Sequence, residues 1–209
     1  MRILILSPHT DDAELGCGGR IAKFLGMGHD IYWVVFSSAE DSLPKNLPKD
    51  TLKREFFNVI KSFSINEKKY RLFDFKVRSL TDYRQDILDE LVKIQKKFQP
   101  ELVIGPSLND FHQDHVVVAN EMVRAFKTSS SIICYELPWN HVSFNTQLFV
   151  KLEKIYMDKK LQVLKNYKSQ IMLHKRYFSD DLILGWAKMR GTQIKEDFAE
   201  AFEVIRWII

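Results

Sequence analysis

Cysteine is scarce: Cys17 and Cys134 are the only two in 209 residues. One pair cannot build a disulfide framework, and the two are not spaced as a CxxC metal or redox site. Two free thiols fit a reducing compartment, so a cytoplasmic location is the expectation. Long apolar runs are also missing. The opening Met1-Arg2-Ile3-Leu4-Ile5-Leu6-Ser7 holds only four consecutive apolar residues, too few for a secretion signal or a membrane span. No other stretch approaches the roughly 18 residues of a spanning helix, so no integral membrane segment is expected. Charge of one sign never accumulates. The 31 Lys+Arg against 27 Asp+Glu leave a net +4, scattered in pairs such as Lys68-Lys69 and Lys159-Lys160. That pattern lacks the basic stripe of a nucleic-acid binder, and no nucleic-acid partner is expected. Repeats, low-complexity tracts and Gly/Ser-rich linkers are absent, so residues 1–209 read as a single domain.

What is present is core. The chain is 45% hydrophobic and 12% aromatic, with 15 Phe, which excludes global disorder. A chain of this size buries roughly 70% of its unfolded surface without staples. Ile3 to Leu6 is a short continuous apolar run, as in a strand buried on both faces. Asp12 to about Met27 reads as a helix ended by Gly26-Met27-Gly28, and Ile31 to Phe36 as a second buried strand. Residues 40–50, with two Pro, form a loop long enough to line a site. Thr51 to about Phe63 is an amphipathic helix, and Tyr70 to Phe73 a short strand. A long helix over about 82–98 carries Ile87, Leu88, Leu91, Ile94 and Phe98 on one face and stops before Pro100. Leu102 to Pro106 is the next strand, about 115–126 a helix, and Ile132 to Tyr135 a further strand. From Leu152 the chain reads as largely helical, and Phe202 to Ile209 as a strand or buried tail. The alternation of strand and helix predicts an α/β fold with a mostly parallel sheet. In such folds ligands bind beyond the carboxyl ends of the strands.

Two polar clusters sit at those ends. Ser7-Pro8-His9-Thr10-Asp11-Asp12-Ala13-Glu14 follows the first strand directly. An N-cap role explains one Asp, and a first helical turn suits Glu14, but His9 and the second Asp are left over. A His and a carboxylate three residues apart can reach one divalent ion, although an isolated HxxD is not specific. The second cluster, Asn109-Asp110-Phe111-His112-Gln113-Asp114-His115, supplies further imidazoles for a catalytic zinc, which takes three protein groups and one open position. Three of the six His lie in these two loops; His29, His141 and His174 are isolated and read as surface or hydrogen-bonded side chains.

His9-Thr10-Asp11-Asp12-Ala13-Glu14-Leu15-Gly16-Cys17-Gly18-Gly19 resembles the opening motif of the PIG-L/LmbE-like deacetylases, written HPDDAELGCGG. His112-Gln113-Asp114-His115 resembles that family's HxDH motif. The likeness extends to 84–89 and to Arg190-Gly191 and 199–202, so it covers most of the chain. Thr10 stands where the family has Pro, which alters the turn but removes no reacting group. The resemblance implies a Rossmann-like three-layer fold and a zinc-dependent N-deacetylase of N-acetylglucosamine-type sugars or glycoconjugates. Position by position, it implies His9, Asp12 and His115 as ligands of one zinc, with iron(II) or cobalt(II) as substitutes. It implies Asp11 as the base acting on water. It implies that His112 stabilises the oxyanion or protonates the leaving amine, with Asp114 orienting it. Some relatives hold substrate with an Arg at the position of Leu52, leaving Lys53 or Arg54 to substitute only by a different reach.

Three rival readings remain. A nucleotide-binding Rossmann-like domain is suggested by Gly16-Cys17-Gly18-Gly19, but the G-x-G-x-x-G spacing would need Gly at Ile21, and Asp11 and Asp12 would repel a pyrophosphate. A phosphoesterase would gather more carboxylates around two metals. A carbohydrate-binding protein without catalysis would not need both Asp11 and His112. Glu136 and Trp139, after a predicted strand, are candidates for holding sugar, Trp139 by stacking. The Phe-rich helices and the Trp207-Ile208-Ile209 end leave room for a homo-oligomer.

Overall fold

The computed structural model describes residues 1–208. The opening apolar run becomes β1 (Arg2–His9), followed by α1 (Asp12–Gly26) and β2 (Asp30–Ser37). Then come α2 (Thr51–Ser62), β3 (Tyr70–Leu72), α3 (Arg84–Phe98), β4 (Leu102–Gly105) and α4 (Gln113–Phe126). The rest of the chain forms β5 (Ser131–Tyr135), β6 (Leu148–Lys151), α5 (Lys154–Leu164), α6 (Lys168–Met172), α7 (Asp180–Thr192) and β7 (Ala199–Arg206). One seven-stranded sheet runs in the order β3-β2-β1-β4-β5-β7-β6. The first five strands are parallel, and β7 is antiparallel to both its neighbours.

The period-two alternation of a strand explains the three layers. Ile3 and Ile5 of β1 point to one core with Trp33 and Val35 of β2, packed under α1, α2, α5 and α7. Leu4 and Leu6 point to the opposite core with Val34 and Phe36, under α3 and α4. A strand covered on both faces has no polar side to show, hence its continuous apolar run. Each of these fully buried β1 side chains contributes about 1.5–3 kcal/mol of apolar burial.

The final strand ends at Arg206, so the predicted terminal run is a strand rather than a tail; Trp207 and Ile208 are about half-exposed, and Ile209 lies outside the described residues. The four-residue β6 was not anticipated. The fourth helix starts two residues early, at Gln113, which moves His115 into its first turn. Both cysteines are buried free thiols. Among the described residues no helix is long and apolar enough to cross a membrane.

The glycines after the first acidic cluster lie inside α1, where they bring the helix down onto the sheet. A Cβ on Gly16 would come within 2.5 Å of the Tyr135 ring of β5, and one on Gly19 within 2.4 Å of Leu152. That closeness leaves no phosphate cradle, so the glycines serve packing. Tyr135 cannot swing aside, because it is fully buried and its hydroxyl donates to the Leu6 carbonyl. Gly16→Ala is therefore expected to lose about 1–2 kcal/mol, the overpacking cost exceeding the gain in helix propensity. Gly185→Ala, in α7, meets nothing within 4 Å and is expected to gain about 0.5–1 kcal/mol. Urea unfolding of both variants checks the pair.

Candidate metal centre

Strand order reverses at β1: the chain winds outward through β2 and β3, then returns to pair β4 on the other side. A crevice opens beyond the carboxyl ends of strands at such a switch point. The loops leaving β1 and β4 are the two that carry the polar clusters.

His9 ends β1, and Asp12 begins α1, so the turn 10–11 must double back within two residues. Asp11 takes up that reversal at φ 87, a left-handed conformation that Asp tolerates better than most residues. Its side chain makes no capping bond; Asp12 accepts the His9 amide at 2.8 Å and closes the turn. Thr10 is buried, and its hydroxyl has no hydrogen-bond partner among the described residues. On the β4 side, Asp110 accepts the His112 amide at 2.7 Å, and His112 Nδ1 caps α4 by accepting the Asp114 amide at 3.2 Å.

These turns bring three donor atoms into a nearly equilateral triangle. His9 Nδ1 and Asp12 Oδ2 are 3.3 Å apart, His115 Nε2 and Asp12 Oδ2 3.3 Å, and His115 Nε2 and His9 Nδ1 3.3 Å. Two ligands about 2.0–2.1 Å from a tetrahedral ion stand roughly 3.3–3.4 Å apart, so the triangle fits one face of a zinc tetrahedron. His112 lies beside it: its ring nitrogen, with those of His9 and His115, completes a trio within 4.8 Å. The triangle through Asp12 is the tighter set, and His112 Nδ1 is already engaged at the helix cap.

Each imidazole is braced from behind, as metal-bound His usually is. His9 Nε2 bonds Asp114 Oδ2 at 2.8 Å, and His115 Nδ1 bonds Asp110 Oδ2 at 2.7 Å. Asp114, expected to orient His112, reaches that ring through its backbone amide at 3.2 Å rather than through its carboxylate. Its carboxylate is fully buried in the first turn of α4, and its oxygens are taken by His9 and by the amides of Arg78 and Leu80; only its backbone N–H reaches His112. Asp110 carried no role in the sequence reading. Its i, i+5 spacing to His115 is not a helical face, and only the turn at 110–112 brings them together.

Charges follow the same geometry. Burial works against protonating His115, but Asp12 and Asp110 outweigh it and push the imidazole up to about 10. Burial opposes His9 too, and Asp114 with Asp12 still raises it. Burial would raise Asp12; His115 and His9 instead hold it far below the usual carboxylate range. Asp11 is raised well above its ordinary value by burial and by the charge of Asp12, with Lys175 opposing. His112 is lowered by burial and by His9 and His115.

The triangle forms the floor of a cavity of about 280 Å³, whose walls include Asp11, His112, Leu52, Asn140, Gln170, Lys175 and Tyr177. This is the small end of ligand sites, the size for one ring-sized group. Leu52 lines it, whereas Arg54 points away and pairs with Asp50 at 2.8 Å. Trp139 lines it too, but one indole face is stacked on Tyr177 at 4.7 Å. Glu136 is buried against Arg190 and the Trp186 indole and does not reach the cavity. The wall residues 170–177 were missed because they come from α6 and the loop behind it, with no motif to mark them.

The molecule is thus a three-layer α/β sandwich with a His–Asp–His donor triangle at the switch point of its sheet. The family pattern described as PIG-L, GlcNAc-PI de-N-acetylase, matches residues 4–126; the chain belongs to that family. It is 28% identical over 170 residues to the uncharacterized deacetylase YaiS of Escherichia coli strain K12, covering 80% of this chain and 90% of that one. The fold is shared with N,N'-diacetylchitobiose deacetylase from Pyrococcus horikoshii, at a TM-score of 0.78 and 19% identity over 98% of this chain and 83% of that one. It is shared equally with GalB, the 4-carboxy-2-hydroxymuconate hydratase of Pseudomonas putida KT2440, at a TM-score of 0.79 and 19% identity over 100% and 97%.

Proposed function

We propose that the chain is a zinc-dependent N-deacetylase that removes the acetyl group from an N-acetylglucosamine-type sugar or glycoconjugate. The observation that carries this reading is the 3.3 Å donor triangle at the floor of a ring-sized cavity, in a chain of the PIG-L family. His9, Asp12 and His115 would hold the ion. When bound, zinc supplies Lewis acidity toward water and toward the acetamide carbonyl.

The remaining work falls to side chains. Asp11, on the cavity wall, takes a proton from the attacking water. The amide of Asp114 occupies His112 Nδ1, which leaves the ring proton on Nε2. A neutral His112 then donates a hydrogen bond to the oxyanion, the first of the two roles that the motif leaves open. The proton held by Asp11 passes to the departing nitrogen as the C–N bond breaks, giving acetate and a free amine. Asp110 and Asp114, the carboxylates a second ion would need, are engaged by imidazoles and amides, which disfavours the phosphoesterase reading.

Acetate release from N-acetylated sugars, sugar nucleotides and glycolipid head groups, with metal analysis of the same sample, tests the proposal. Turnover that needs one ion per chain supports it; no release at full metal occupancy overturns it. Metal uptake should also report the two raised imidazoles. A ligating nitrogen must be unprotonated, and His115 holds its proton up to about 10 in the free chain. Zinc binding near neutral pH is therefore expected to release one to two protons, and affinity should rise from pH 6 to 8. Titration calorimetry in buffers of different ionisation enthalpy measures this; zero proton release would contradict it.

A further inference from the structure

One wall residue of the catalytic cavity is held more firmly than a surface side chain would be. Gln170 lines the cavity and is only 2% exposed. Its neighbour Ser169 is equally buried and is pinned from α2 by Glu55, itself a buried carboxylate. Glu55 Oε1 accepts the Ser169 backbone N–H at 2.7 Å, and Oε2 accepts the Ser169 hydroxyl at 2.7 Å. The first bond satisfies a free amide in the first turn of α6. The second uses the single proton that a hydroxyl carries. Ser169 Oγ is left able only to accept, and Gln170 Nε2 donates to it at 2.9 Å.

This relay fixes which way the Gln170 amide faces. A free Gln turns its amide over at little cost and offers donor or acceptor as a ligand requires. Here the turned amide would set its carbonyl oxygen against the lone pairs of Ser169 Oγ, so Nε2 stays on the Ser169 side. Oε1 is the atom left over. No donor among the described residues reaches it, and it is not sealed from water. In a side chain this buried, the water it meets is that of the cavity it lines. A ligand that displaces this water without bringing a donor leaves the oxygen unpaired, at a cost of about 10–100-fold in affinity.

We propose that Gln170 is a specificity-determining residue, whose Oε1 accepts a hydrogen bond from one hydroxyl of the substrate ring. Glu55 and Ser169 are positioning residues that keep that oxygen turned toward the cavity. The acetamide is engaged at the donor triangle by Asp11 and His112, so the part of the substrate left to meet α6 is the ring, and its donors are hydroxyls. The ring itself comes from the deacetylase reading, on which this assignment rests.

The test compares methyl N-acetyl-β-glucosaminide with its 3-deoxy, 4-deoxy and 6-deoxy analogues on the zinc-loaded chain, by acetate release and by titration calorimetry. With the wild-type chain, one analogue is expected to lose about 10–100-fold in both kcat/KM and affinity, because it leaves Oε1 unpaired. Gln170→Met keeps the length of the side chain and removes the amide. It should no longer tell that analogue from the parent, while the ratios for the other two stay as they were. Ser169→Ala leaves Gln170 in place but lets its amide turn over, and should reduce the same ratio part of the way. A variant that merely loosens the fold weakens all four compounds and leaves the ratios standing. Wild-type ratios near one for all three analogues overturn the proposal, as does a ratio that survives Gln170→Met. A ratio that stays whole in Ser169→Ala overturns the relay. If no compound releases acetate, the deacetylase reading fails, and the calorimetric ratios still decide Gln170; binding of none of the four overturns both.

Discussion

Asp11→Asn is expected to keep its zinc and lose about 10²–10⁴ in kcat, the usual worth of a positioned base. The substitution suits this position because Asn also tolerates the left-handed backbone at φ 87. The turn should survive while the proton acceptor is removed. Asp12→Ala should do the opposite. Asp12 Oδ2 is a corner of the donor triangle and the acceptor of the His9 amide, so its loss strips the ion and loosens the turn together. Bound zinc and acetate release, measured on both variants, separate the two aspartates. An empty Asp11→Asn beside a loaded Asp12→Ala would reverse the roles. An Asp11→Asn as active as wild type would move the base elsewhere, with His112 next in line.

His115→Ala should lose metal and activity together, because two protein donors do not make a catalytic zinc site. Asp110→Asn is the graded companion. It leaves every donor in place but removes the carboxylate that holds His115 Nδ1 at 2.7 Å, and a 10–100-fold loss of zinc affinity is expected. Equilibrium dialysis against a zinc buffer reads both, with circular dichroism to confirm the fold. If His115→Ala stays fully loaded, then His112, whose nitrogen lies within 4.8 Å of the others, has become the third ligand.

The parallel part of the fold was legible because strands covered on both faces leave an unmistakable apolar run. Ile3 to Leu6 and Ile31 to Phe36 could sit nowhere else. β6 was not legible, because a four-residue edge strand of Leu148, Phe149, Val150 and Lys151 alternates too briefly to announce itself. The acid and imidazole clusters were legible as a site from their place at strand ends, and the family motif implied His9, Asp12 and His115 as ligands. Pairings behind the site were not. That Asp114 braces His9 depends on a contact across 105 residues, set by where β4 falls beside β1. The aromatic wall was hidden for the same reason: Trp139 and Tyr177 meet only through the packing of the loop after β5 against the loop after α6.

The donor triangle, its braces and Asp11 come from β1, α1, β4, α4 and the turns beside them, all before residue 127; of the cavity wall, Leu52 comes from α2, whereas Trp139, Gln170, Lys175 and Tyr177 come later. The candidate donors are thus gathered in the first part of the chain, while the wall draws on both parts. A segment exchange after α4 could bring a new wall to an untouched reaction centre, provided Glu200 of β7 still holds the Gly19 and Arg20 amides of α1. Exchange of the later segment would renew one side of the wall, while the donor triangle in the earlier one keeps its spacing.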